Sequence, residues 1–552
     1  MHLLMIRRLI LALAVCLALA GSAGPAAAST RFTLIGHGWG HGIGMSQYGA
    51  LGYAQHGWTH EQILAHYYTG TTLGLLPKGT TERVLLADGK GSMHIAFDSP
   101  VVGRDENGTT KTLPAGRYRV DRGTTAGRLR LWSHDAAAYV WNGIVGSLLV
   151  SAGSSPLQLN ERAINGYTND HWWGDFHVLL SGGSLSLVDV VPMEKYVRGV
   201  VPCEVPASWL PQAVQTQAVA ARSYAAATAG GGTFDAYPDT RSQMYCPIEQ
   251  QAPASDAAVV ATKRQIVEYG GHVATTFFSS SSGGWTSSLS ASWGSPDQPY
   301  LVPVRDRYDA ANGLNPNHTW APVGYTTTSL AAGLGVSGTV TGVDQTIDGP
   351  SHRVTSVVVH HGGGDTTMTG SDVYSRLHLR STYFRILQVT LVAPSDADAG
   401  QQFQLRGRLW PRPAAFTLEV SKGSSGTWTR ITSPVTLDSD GRFSIPRSPM
   451  GDASYRLSRA GAFPVTVHVR VHPVLTLAGG SRFHGTMLPK LQGATVTLQK
   501  DTPGGWIAVE DATVAADGSY RFSTAVASGS WRVHFAHDAD HSAANSTTLV
   551  VP

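Results

Sequence analysis

The sequence is short of charge: Asp, Glu, Lys and Arg supply 14% of its 552 residues and leave a formal net charge of +3. Proteins that grip nucleic acid meet its phosphates with basic stripes. No Lys/Arg cluster here is long enough to make one, so nucleic acid is excluded as a partner. Long apolar runs are equally scarce. Beyond residue 20 no stretch reaches the roughly 18 uncharged apolar residues that span a bilayer, which leaves the chain peripheral to a membrane at most. Cysteine occurs three times, never in a C-x-x-C or C-x-H cluster, so a thiol-based metal site has little support. Hydrophobic residues at 42% are enough for packed cores, and disorder does not dominate.

What is present starts with a leader. Arg7 and Arg8, an apolar run from Leu9 to Ala20 and the small residues Ala26, Ala27 and Ala28 read as a secretory signal peptide over 1–28, cleaved near Ala28. The mature chain is expected outside the cytoplasm. Val15 before Cys16 suits lipoprotein processing badly. With Cys16 removed, Cys203 and Cys246 remain in an oxidising compartment. The alternatives are one disulfide, two free thiols or a metal site, and the disulfide is expected.

The length calls for about three to five folded units. Between Arg83 and Leu185, runs such as "RVLLADG" and "GRLRLWSH" mark a β-rich subdomain over 81–185. The C-terminal third repeats itself: Gly407, Pro411, Trp428 and Asp440 match Gly485, Pro489, Trp506 and Asp517. Short alternating runs broken by Gly and Asp-Gly predict two all-β sandwich modules, at 389–472 and 473–552, as structural or wall-binding accessories; the repeated Trp is either a sugar-stacking platform or a core residue, and the core is expected. Between these regions, Leu210, Val214, Ala218, Ala221 and Ala225 form one apolar stripe of a helix over about 209–229, with Ser208 as its N-cap. Glu204 is then expected just before the positive end of that helix, either as a capping carboxylate or as a catalytic acid.

The runs "VPMEKYVRGVVPCEVPASW" (191–209) and "QAVQTQAVAARSYA" (212–225), followed by "YPDTRSQMY" (237–245), "TFFSSSSGGWTSS" (276–288), "PYLVPVRD" (299–306) and "LRSTYFRI" (379–386), resemble the SpoIID/LytB family, whose name carries sporulation. A further motif of that family is similar to "GHGWGHGIGMSQYGALGYAQHGW" (36–58). Here it precedes the core instead of following it, so 29–80 is expected to fold back onto a core over 186–388. The resemblance implies an α+β multidomain fold with a mixed helix/strand core. It also implies a secreted, wall-associated lytic transglycosylase that cleaves peptidoglycan glycan strands, with Glu204 as the acid. One carboxyl suffices for that reaction, whereas a hydrolase normally needs two. The LytB side of the family implies the alternative, a noncatalytic wall-binding protein that stimulates a separate amidase.

Within those motifs Gln217 and Arg222 on the helix, Ser282 and Thr286 in the Gly-rich turn, and His37, His41, Ser46 and Gln47 in the first motif are the candidate substrate-binding residues. Glu194, Asp306 and Asp309 are expected to fix local backbone. His37 and His41 stand four apart, but alternating glycines preclude the helix that a zinc pair needs, so no metal and no cofactor is expected.

Overall fold

Alternation of apolar and polar residues makes strand the commonest regular element, and the computed structural model, which describes residues 26–552, resolves into several sheets joined by a few short helices. The leader and Cys16 lie outside the described residues, except that Ala26–Ala28 already belong to the first strand. That strand, β1 (Ala26–Gly36), pairs antiparallel along its whole length with Phe384–Pro394, from Ala26 opposite Pro394 to Gly36 opposite Phe384. Its buried Phe32 and Leu34 pack with Val357, Phe384 and Ile386. The glycine-rich stretch after it turns tightly against 277–287, and a Cβ at Gly38 (φ +74°) would sit 2.7 Å from the Ser281 carbonyl oxygen. Helices α1 (Gln47–Gln55) and α2 (His60–Tyr67) follow, the latter opened by a Thr59/Gln62 capping box.

Two six-stranded antiparallel sheets then enclose one core. The second contains β2 (Thr81–Lys90) next to β3 (Ser184–Pro192). The boundary expected at 185/186 falls inside β3, because that strand completes the sheet before running directly into α3 (Met193–Glu204). The same core continues onto α3 and α4 (Pro211–Thr228) through Tyr196, Val200, Val201, Val214 and Ala218. A second cluster, built on α1 and α2, takes the other side of α4 through Ala213, Val219 and Ala220. The expectation of one narrow apolar stripe is therefore corrected. With both sides packed, small alanines serve nearly all round, Thr216, Gln217, Arg222 and Ser223 are buried as well, and Leu210 is 43% exposed. The helix starts later than expected, with Leu210 at the N-cap position and Ser208 outside it.

A further correction concerns the boundary at 388/389, which cuts β4 (Phe384–Pro394). This strand lies between β1 and Phe403–Trp410 in a five-stranded sheet that also holds Arg442–Arg447. Core and first repeat thus share a continuous sheet. The inner faces of that sheet and of a second one, built from Thr417–Lys422, Ala453–Ser458 and Val465–His472, enclose Leu391, Leu405, Leu418 and Leu457. The second repeat has a separate cluster around Phe483, Leu498, Trp531 and Val533. Trp428 and Trp506 belong to neither core and are half-buried on the outside, contrary to expectation.

Candidate active site

Glu204 is the last residue of α3, where Pro202 lies in the final turn, two residues from the end, and Val205 turns extended. It therefore stands at the C-terminal end of a helix and not before the N-terminus of the next. There the macrodipole disfavours the anion instead of favouring it. Two donors hold the carboxyl: the Met244 backbone N–H to Oε1 at 2.9 Å, and Gln47 Nε2 to Oε2 at 3.1 Å. The group is partly exposed yet enclosed by protein, and desolvation raises its pKa above the ordinary glutamate value against the opposing pull of both hydrogen bonds. Trp209 and Tyr48, five residues after the acid and one after Gln47, meet with ring centroids 5.0 Å apart.

The loop that supplies Met244 is tied down from both ends. Cys203 and Cys246 form a disulfide with Cα atoms 6.4 Å apart. Cys246 N–H also donates to the Gly199 carbonyl at 3.0 Å, and Tyr245 OH to Asp189 at 2.9 Å. Gly199 has no alternative, since a Cβ would lie 2.6 Å from the Tyr245 ring. The neighbouring Gln243 reaches Tyr196 and the Ala221 carbonyl.

Of the candidates read from sequence, the structure brings Gln47 alone into hydrogen-bond contact with Glu204. Ser46 caps α1, accepting from Gly49 N–H at 3.0 Å, and donates to Asp309 at 2.7 Å. Arg222 is fully buried and forks Glu194 through Nε at 3.0 Å and Nη2 at 2.9 Å, so it ties α4 to α3 and does not reach the acid. Gln217 is 1% exposed with neither amide atom paired. Ser282 donates to Asp306 at 2.8 Å, while Thr286 accepts from Val304 N–H at 2.8 Å, so both brace the turn. His41 accepts from Ile43 N–H and its other ring nitrogen meets the Phe278 carbonyl at 2.9 Å. Burial pushes its pKa down to about 4 and keeps it neutral. His37 Nδ1 lies 3.1 Å from the His318 carbonyl oxygen.

Asp306 and Asp309 are more than loop fixers. Both are buried in one network, where Asp309 takes hydrogen bonds from Ser46, Ser281, Asn315 and the Ser282 and Gly283 N–H groups, and sits 2.8 Å from His318. Those donors hold its pKa below the usual range, while burial beside it raises that of Asp306 well above. Sequence reading also missed Glu82 on β2. It is 1% exposed, neither carboxyl oxygen has a partner, and burial raises its pKa to about 8. Alternation along "TERVLL" puts Glu82 on the face of the buried Val84 and Leu86, which is the signal that could have found it. Among the described residues no group of three or more His, Cys, Asp or Glu is placed to hold a metal ion.

The Stage II sporulation protein family matches residues 181–269, the stretch from β3 through α3, the acid and α4. The chain carries a SpoIID/LytB-family domain. An amidase enhancer of Bacillus subtilis is 36% identical over 118 residues, 21% of this chain and 16% of that protein. Stage II sporulation protein D of Bacillus subtilis is 28% identical over 222 residues, 36% of this chain and 61% of that one. The chain thus spans less than two thirds of either relative. Gln47 lies outside the matched stretch, so the SpoIID/LytB domain receives one of its acid's two donors from the segment that precedes it in sequence. No helix among the described residues is long and apolar enough to cross a membrane.

Proposed function

We propose that this protein acts at the cell wall as a lytic transglycosylase on peptidoglycan glycan strands, with Glu204 as the single acid and base. The observation that supports the reading is a partly exposed carboxyl whose pKa burial raises above the ordinary glutamate value, with one backbone and one side-chain donor on its oxygens. Glu194 is committed to Arg222, Asp306 and Asp309 to their own network, and Glu82 is buried. Glu204 gives its proton to the glycosidic oxygen as the bond from that oxygen to the muramic anomeric carbon breaks. The carboxylate then takes the proton of the same sugar's 6-hydroxyl while that oxygen bonds to the anomeric carbon, which restores the acid and consumes no water. Hydrogen bonds from Gln47 and Met244 strengthen as the carboxylate forms. The disulfide and the Arg222–Glu194 fork position the acid, and the wall glycan lies against Trp209 and Tyr48.

Replacing Glu204 by Gln is expected to abolish release of 1,6-anhydromuramic products from purified glycan while the melting temperature is kept; undiminished release overturns the assignment. The likeness to an amidase enhancer favours a second reading, a wall-binding protein that stimulates a separate amidase. Wild-type protein that leaves glycan intact but accelerates an added amidase on wall sacculi selects that reading.

A further inference from the structure

The two C-terminal repeats each carry the same arrangement on their outer face. In the first, Glu419 and Arg456 face each other across neighbouring strands, and the guanidinium of Arg456 lies 4.2 Å from the ring centroid of Trp428. In the second, Gln499 and Arg532 are the cross-strand pair, and Arg532 lies 4.3 Å from the centroid of Trp506. Each arginine is braced through Nε, by Glu419 at 2.8 Å and by Gln499 at 2.7 Å. The adjacent residues Leu418, Leu457, Leu498 and Val533 are core, which puts the braced pairs on the opposite faces of their sheets.

Core packing does not account for these tryptophans, since both lie outside the clusters. Two buried tryptophans use their indole N–H: Trp320 donates to Gly38 and Trp531 to Ala527. Among the described residues the N–H groups of Trp428 and Trp506 have no partner. Each is thus a half-buried ring held by one stacked cation, with a free donor at its edge. We propose that Trp428 and Trp506 are two saccharide-stacking platforms for one polysaccharide strand. The flat C–H face of an equatorially linked pyranose packs on an indole, and hydroxyl or acetamido oxygens accept from the N–H. The charge balance selects this occupant. Glu419 offsets Arg456, and Thr417, Ser454, Thr497 and His534 flank the pairs, a surface too polar for lipid and too weakly cationic for a phosphate polymer.

The second module also positions the first platform. Asp540 accepts from Ser424 N–H at 2.7 Å, in the loop that leads into Trp428, and its backbone carbonyl accepts from Asp452 N–H at 2.7 Å. These bonds tie the loop before Trp428 to the second module, and a strand that reaches both rings gains from effective concentration. Equating that strand with wall glycan rests on the function proposed above; the stacking does not.

The test uses the full chain with a soluble hexamer of β-1,4-linked N-acetylglucosamine, read by indole fluorescence and calorimetry, and with wall sacculi stripped of secondary polymers, read by co-sedimentation. Trp428→Ala and Trp506→Ala are each expected to weaken sacculus binding about tenfold, and the double substitution about 100-fold or more. Trp→Phe at both sites, which keeps a flat ring, retains most of the binding and guards against a folding defect in the alanine pair. The proposal is overturned if the double alanine variant binds as wild type, or if both variant pairs lose binding only in step with melting temperature. It is equally overturned if wild-type protein ignores both probes, or binds anionic lipid vesicles or unstripped sacculi instead. Glu204→Gln should bind normally, so failure of cleavage and failure of stacking are read separately.

Discussion

Burial raises the pKa of both Glu204 and Glu82, which is useful chemistry at the first and a liability for stability at the second. Gln47 stabilises the Glu204 carboxylate, so removing it raises the pKa of the acid further. In Gln47→Leu the alkaline limb of the pH–rate profile is expected to move to higher pH. The maximal rate should fall about tenfold or more, the scale of a hydrogen bond to a charged group. A rate loss with the limb unmoved would assign Gln47 to substrate contact alone. For Glu82 the sign is fixed by a folded pKa near 8, above the ordinary value of about 4.3. As pH rises between those values the unfolded chain ionises and the folded one resists, so stability declines through the window and levels off above it. Glu82→Gln is expected to flatten this decline, with urea midpoints at pH 5 and pH 8 much closer than in wild type. Glu204, Asp306 and Asp189, shifted in the same direction, leave a residual slope.

At the scale of elements, Ala-rich α4 explains why a face reading failed. Small side chains are compatible both with a helix exposed on one side and with one packed on both, and only the neighbours decide. The Glu194–Arg222 fork was hidden for a similar reason: the residues are 28 apart, on two helices whose angle no local pattern encodes. The turn motif was easier, because alternating glycines announce positive φ and close backbone approach wherever they fold. β4 supplies the test. Cutting after residue 388 divides a strand that pairs on both edges, with β1 and with Phe403–Trp410. Such a fragment is expected to lose cooperative unfolding or to precipitate, and one extended through 472 to regain it. A fragment ending at 388 that melts as sharply as the full chain would show that the shared sheet is dispensable.

For the whole molecule, the family domain, the strand-rich regions and the internal repeat were legible because each rests on local spacing or motif. The Cys203–Cys246 pair was legible by counting, once Cys16 was assigned to the leader. Less visible were the relations between distant segments: Gln47 to Glu204, Ser46 to Asp309, and the outward tryptophans, whose repeat position is equally compatible with a core. Such contacts depend on packing that no window of sequence contains.

The pairing of β1 with β4 has a temporal side. Thr30 and Thr390 meet across 360 residues, so the first strand to leave the ribosome waits for nearly the last of the core before it finds its edge. Contacts of such separation are slow to form, because the loop between their ends must close before they repay it. Contact order therefore favours the two six-stranded sheets, whose pairings span far shorter separations, over the docking of the segment that bears Gln47. A chain halted between the two steps is expected to hold a core without the second hydrogen bond of Glu204.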